Sequence, residues 1–114
     1  IQQAKPYHDH FMIAAIEDEA LERTMMAQVS QALLMIKGCV ASFTIAKVKN
    51  STNGVAVSAR SDGSYNVQKI MEKLNGGGHF SAAAVERQDL SVQQMKDLIL
   101  KYIEEEQNNE GNFA

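Results

Sequence analysis

An α/β fold, with a mixed sheet of about four or five strands covered by helices, is predicted in the order β-α-β-β-α-(Gly loop)-β-α. Three features of the sequence carry that expectation. Short apolar or period-two stretches suited to strands alternate with stretches whose apolar residues return every three or four positions. Turn and cap signals fall between them. The chain has 114 residues, 45% hydrophobic and 22% charged, which suffices for one core and is too short for two.

Residues 1–10 are polar, and Pro6 argues against a helix there. They are expected to be a leader or linker before a single domain over 11–105, with 106–114 a disordered, acidic and amide-rich tail. Phe11–Ile16 is a continuous apolar run of the kind buried on both faces of a sheet. From Ala20, Leu21, Met25, Val29, Ala32, Leu33 and Ile36 form one helical stripe, and Glu17, Asp18 and Glu19 suit the positive end of that helix. Gly38 is placed to end it in the left-handed conformation. The period then becomes two: Cys39, Ala41, Phe43 and Ile45 alternate with Val40, Ser42, Thr44 and Ala46. Asn53-Gly54 signals a hairpin, and Val55, Val57 and Ala59 alternate with Ala56, Ser58 and Arg60 on the returning strand. Asn66 can cap a helix striped by Val67, Ile70, Met71 and Leu74, which Asn75-Gly76-Gly77-Gly78 stops. The alanines at 82–84 are expected to close a short helical turn ahead of a strand around Ala83–Arg87. Ser91 with Gln94 has the form of a capping box for a last helix striped by Val92, Met95, Leu98, Ile99, Tyr102 and Ile103.

The composition excludes several classes. The longest apolar run, Phe11–Ile16, is far below the ~20 residues of a membrane helix. No signal-peptide pattern opens the chain, and the single Cys39 cannot pair internally, so a cytoplasmic domain is expected. The first residue is Ile1 rather than methionine, which points to a segment of a longer protein. The net charge of −3 is uneven: Lys37, Lys47, Lys49, Arg60, Lys69 and Lys73 face only Asp62 and Glu72 in the middle third. An anion would be drawn there if the fold gathers those groups.

Gly76-Gly77-Gly78-His79 is the most informative stretch. Glycine amides without Cβ atoms can approach a phosphate closely and form an anion-binding nest, and His79 could add a donor. The alternative is a helix cap and linker with an exposed histidine. The stretch matches neither a P-loop nor a Rossmann fingerprint. Arg60, at a strand end beside Ser58 and Ser61, offers a rigid fork of donors suited to a phosphodiester; the alternative is an ion pair with Asp62 or Glu72. His8-Asp9-His10 has metal-ligand types but no third cluster, Cys39 reads as core, and no G-x-S-x-G surrounds the serines. Met25, Met26, Met35, Met71 and Met95 read as core filler. These residues support anion binding and stop short of catalysis.

Ser58-Ala59-Arg60-Ser61, the helix over 66–74 and Gly76-Gly77-Gly78-His79-Phe80-Ser81-Ala82-Ala83-Ala84 together resemble the DHH-associated C-terminal domain of DHH phosphoesterases. The segment Val55–Ala84 looks closest to the membrane-anchored cyclic-di-AMP phosphodiesterases. The resemblance implies a separate DHH catalytic domain in the same parent chain, holding two divalent metals, usually manganese. That parent would hydrolyse cyclic-di-AMP to pApA from the cytoplasmic side of the membrane. This chain would then hold no catalytic residue and no metal. By the same resemblance Arg60 and His79 contact substrate phosphate, Gly76, Gly77 and Gly78 supply backbone donors, and Ser58 lines the cleft. Asn75 departs from relatives with four glycines, although asparagine tolerates the left-handed conformation. Two other functions compete: cleavage of short oligonucleotides by a nanoRNase or exonuclease-like relative, and RNA binding like the domain appended to alanyl-tRNA synthetases. A homodimer or a purely regulatory domain also stays open.

Overall fold

The computed structural model describes residues 4–7 and 10–109. Its strands are β1 (Ala4–Tyr7), β2 (Phe11–Leu21), β3 (Ala41–Val48), β4 (Val55–Ser61), β5 (Gly77–His79) and β6 (Ala82–Arg87). The helices are α1 (Arg23–Leu34), α2 (Val67–Lys73) and α3 (Val92–Asn109). They build one six-stranded sheet in the order β1-β2-β3-β4-β6-β5, with β2 and β3 parallel and every other pair antiparallel. The expected α/β class and mixed sheet are present. Two strands exceed the expectation: β1 lies in the supposed leader, and β5 lies in the supposed glycine loop.

Alternation divides the sheet into two unlike faces. One carries Phe11, Ile13, Phe43, Ile45, Val57, Ala59 and Val85. It is covered by α2 and α3 through Val67, Ile70, Met71, Leu74, Met95, Ile99 and Ile103, all essentially buried. Tyr65 closes one end edge-on to Phe11, with ring centroids 4.8 Å apart. The other face carries small and polar residues, Ser42, Thr44, Ala46, Ala56 and Ser58, and of the described helices α1 alone lies on it.

That second face corrects the reading of α1. The expected stripe included Met25, Val29 and Ile36, but the buried residues are Met26, Ser30 and Leu33. Ser30 is buried because its hydroxyl donates to the carbonyl of Ser58 (2.6 Å) and shares a hydrogen bond with Thr44 Oγ1 (2.7 Å). Ser42 Oγ in turn donates to the Ser30 carbonyl at 2.6 Å. Met25 and Met35 are consequently exposed rather than core.

Other boundaries shift for local reasons. Glu17, Asp18 and Glu19 belong to β2, not to the start of α1. They bulge from the ladder between Ile16, opposite Ala46, and Ala20, opposite Lys47, and so stay solvated. Gly38 does take φ +86°, but in a turn closed by the Cys39 N–H on the Ile36 carbonyl, four residues past the helix. Cys39 therefore sits in that turn, ahead of β3. The hairpin between β3 and β4 forms, with its left-handed residue at Asn50 rather than in Asn53-Gly54. Asn66 caps α2 by accepting from the Lys69 N–H, and Ser91 and Gln94 form the expected reciprocal box. Helix α3 continues past residue 105 because Glu105 and Glu106 meet Lys73 and Lys69 of α2.

Candidate functional site

Directly opposed residues of antiparallel strands project to the same side. The register therefore sets Ser42, Arg60, Ala82 and His79 in one lateral row, and Thr44, Ser58, Ala84 and Gly77 in the next. Both rows lie on the face that α1 covers only in part. Beyond β4 the helix ends, leaving Ala84 exposed and Ala82 and Gly77 half-buried. The result is an open floor of small residues with Arg60 and His79 along one side. Between floor and helix lies a cleft of about 150 Å³ bordered by Arg23, Met26, Ala27, Ser58, Arg60 and Ala84.

Arg60 is half-buried, and one guanidinium nitrogen donates to the Ala59 carbonyl at 3.1 Å. Among the described residues no carboxylate reaches it. Asp62 instead accepts from the Ser64 N–H (2.9 Å) and hydroxyl (2.5 Å), and Glu72 accepts from Gln68. Most of the guanidinium fork is left for solvent or a ligand. His79 is exposed at the end of β5, two strand spacings from Arg60, about 10 Å between backbones.

The glycines divide their labour. Asn75 takes φ +69°, its N–H donates to the Glu72 carbonyl (3.0 Å), and the Gly76 N–H donates to the Met71 carbonyl (2.8 Å). That pair of bonds is a Schellman cap, so the asparagine that departs from the four-glycine pattern serves as the left-handed residue. No helical turn follows. Gly77–His79 runs as a strand and reverses through Phe80-Ser81 into β6. The Ser61 N–H donates to the Ser81 carbonyl (2.9 Å), which sets the phase of the ladder: Ala83 turns its amide to β4, while Ala82 and Ala84 turn theirs to β5. Of the three glycine amides expected to form a nest, Gly76 is spent on the cap and Gly77 on the ladder. Only that of Gly78 faces the open edge.

Other sequence candidates separate from this face. Burial pushes the Cys39 thiol up, and Sγ lies 3.2 Å from the Ala41 carbonyl, an arrangement unsuited to a nucleophile. His8 and Asp9 lie outside the described residues. Of the aromatic rings Phe43, Tyr65 and Phe80, on which a base could stack, Phe43 and Tyr65 are buried and Phe80 is exposed. The middle-third charge is not gathered, since Lys69 and Lys73 pair with α3 while Lys47 and Lys49 lie at the far hairpin. A larger hollow of about 420 Å³ lies at that hairpin, bordered by Asn50, Thr52, Asn53, Gln88 and Ser91, away from every site residue singled out above. Sequence reasoning missed Arg23; the available signal was a basic residue opening a helix, where it does nothing for the helix.

The chain is similar to known proteins. The DHHA1 domain family matches residues 8–109. The cyclic-di-AMP phosphodiesterase GdpP of Geobacillus thermodenitrificans is 44% identical over 92 residues, covering 77% of this chain and 14% of the relative. A membrane protein–large ribosomal subunit bL9 fusion protein of Aster yellows witches'-broom phytoplasma is 34% identical over 103 residues, covering 90% and 12%. The bifunctional oligoribonuclease and PAP phosphatase NrnA of Thermus thermophilus is 36% identical over 76 residues, covering 67% and 22%. The chain thus spans less than a quarter of the length of each of these relatives. In fold it is similar to an exopolyphosphatase-related protein from Bacteroides fragilis, with a TM-score of 0.71 at 18% identity over 91% of this chain and 32% of that one.

Proposed function

The chain belongs to the DHHA1 domain family, and on that premise we propose that it is the substrate-binding part of a phosphodiesterase hydrolysing cyclic-di-AMP to pApA. The catalytic domain lies elsewhere in a longer, membrane-anchored protein. The observation that carries the reading is one row of the sheet: Arg60 and His79 share a face, separated by Ala82, beside a floor too small-chained to obstruct a ligand.

The residues act by binding and positioning. Arg60 presents its fork to the non-bridging oxygens of one phosphate. His79 donates a ring N–H to an oxygen farther along the sugar-phosphate chain, and the Gly78 amide lies beside it at the strand edge. Ser58, Ala82, Ala84 and Gly77 let that chain lie against the sheet. Charge developing on the phosphate oxygens during hydrolysis would meet donors already in place. Activation of water would come from divalent metals, manganese in this reading, held by the other domain. Among the described residues no three His, Cys, Asp or Glu side chains come together, and this reading puts the two-metal site in that other domain.

A second reading, short oligonucleotides as substrate, draws on the exposed ring of Phe80 beside His79, which suits stacking of a base. An amide NMR titration with cyclic-di-AMP, pApA and a longer oligoadenylate decides between them. We expect saturable shifts centred on Arg60 and Gly76–His79, lost in Arg60→Ala and His79→Ala, with the two dinucleotides bound tightest. Preference for the longer strand would favour the second reading. Shifts that persist in both variants would overturn the site.

A further inference from the structure

We propose that Arg23 is a second phosphate-binding cation of the same cleft, held by Glu86 until a ligand's anion replaces the carboxylate. The inference rests on the binding reading above and adds a residue to it. Arg23 opens α1 and borders the cleft together with Arg60 and Ser58. It pairs with Glu86 of β6, which follows Ala82 and Ala84 on the same face of that strand and so stands at the far end of the floor.

Three observations separate this pair from an ordinary structural bridge. A cation in the first turn opposes the helix dipole, and no acidic residue accompanies it there, so α1 gains nothing from the position. The two partners differ in freedom: the Arg23 side chain is 57% exposed and Glu86 22%. Glu86 is also packed against the β3–β4 hairpin, where a Cβ on Gly54 would meet its Oε2 at 2.5 Å. Glu86 is thus the more enclosed partner, and the guanidinium is the one with more freedom to swing. Finally, two guanidiniums, Arg23 and Arg60, border one cleft of about 150 Å³ whose described lining includes no carboxylate, while Glu22 borders a separate groove. Exposed ion pairs are weak, whereas bidentate arginine–phosphate contacts are strong. A phosphate entering the cleft would therefore win Arg23 from Glu86.

The test measures dissociation constants of pApA and cyclic-di-AMP for Arg23→Ala, Glu86→Gln and the double variant, beside Arg60→Ala and His79→Ala. Thermal melts check that each variant is folded. Loss of Arg23 is expected to weaken binding by about tenfold. Glu86→Gln, which frees Arg23 and removes a repulsive charge, is expected to tighten it by about threefold. In the double variant most of that gain should vanish, since it needs the arginine. A merely structural bridge would not tighten binding when broken. Unchanged binding in Arg23→Ala, weaker binding in Glu86→Gln, or a gain that survives in full without Arg23 overturns the inference. If Arg60→Ala and His79→Ala lose binding while Arg23→Ala does not, the site stands and only this inference falls. If none of the variants alters binding, both fall.

Discussion

Gly76, Gly77 and Gly78 are adjacent and identical in sequence, yet the fold asks a different thing of each. A Cβ on Gly76 would collide with the Ala84 carbonyl and lie 2.5 Å from the Val85 Cβ, so the missing side chain lets the chain pass close to β6. Gly78 has φ +147°, and a Cβ there would lie 2.6 Å from both the Ala82 carbonyl and the Ala83 Cα. Gly77 has open space around its Cβ position and faces the floor. Gly78→Ala should therefore cost about 3 kcal/mol from strained backbone and steric overlap. Gly77→Ala should stay within about 0.5 kcal/mol of the parent. Urea unfolding checks both, and equal losses at the two positions would contradict this division. Gly77→Leu should fold and yet bind pApA weakly, because it fills the floor. The three glycines were legible as an important stretch, but their separate roles were not. Those roles depend on β6, whose approach no local signal records.

Local periodicity also located the elements better than their phase. Helix α2 was fully legible, because its cap, its stripe and its stop all agree and it covers an ordinary apolar face. Helix α1 was legible as a helix, but its buried stripe was displaced by one residue. Hydrophobicity is a misleading guide when a helix packs on a face that includes Ser42, Thr44 and Ser58. There the buried centre is Ser30, whose hydroxyl meets Thr44 Oγ1 and the Ser58 carbonyl while its own carbonyl accepts from Ser42. Ser30→Ala would leave the buried Thr44 hydroxyl without this partner and remove one donor from the Ser58 carbonyl, at a cost of about 1–3 kcal/mol. Since the Ser58 carbonyl belongs to the strand that presents Arg60, ligand affinity should fall along with stability. A denaturation midpoint equal to the parent's would show that the network carries no net stability. Ser30→Ala with Thr44→Val should recover part of the loss, because the hydroxyl left unpaired is then gone.

At the scale of the whole molecule, the two faces of the sheet do separate jobs. Helices α2 and α3 close the apolar face and join each other through Lys69, Lys73, Glu105 and Glu106, which neutralises two of the six basic groups of the middle third. That pairing was invisible in the charge count, because the partners are more than thirty residues apart in sequence. The opposite face is left half open, and in the reading proposed above its attraction for anions would come from Arg60, His79 and Arg23 at short range, within a chain of net charge −3. Such a site should hold a dinucleotide with a modest dependence on ionic strength, unlike a polyanion-binding surface, whose affinity falls steeply with salt. The same face offers donors without a cluster of metal ligands or an activated nucleophile among the described residues. On the proposed division of labour the chain alone is expected to bind pApA without hydrolysing cyclic-di-AMP, and added manganese should not change either result. Chromatographic detection of pApA after long incubation, with the Arg60→Ala variant as a control for contaminating nuclease, measures this directly. Manganese-dependent product from the parent chain and none from Arg60→Ala would locate chemistry within these 114 residues and overturn the division of labour proposed here. Binding without product would leave Arg60 and His79 as a grip that needs a second domain to act on what it holds.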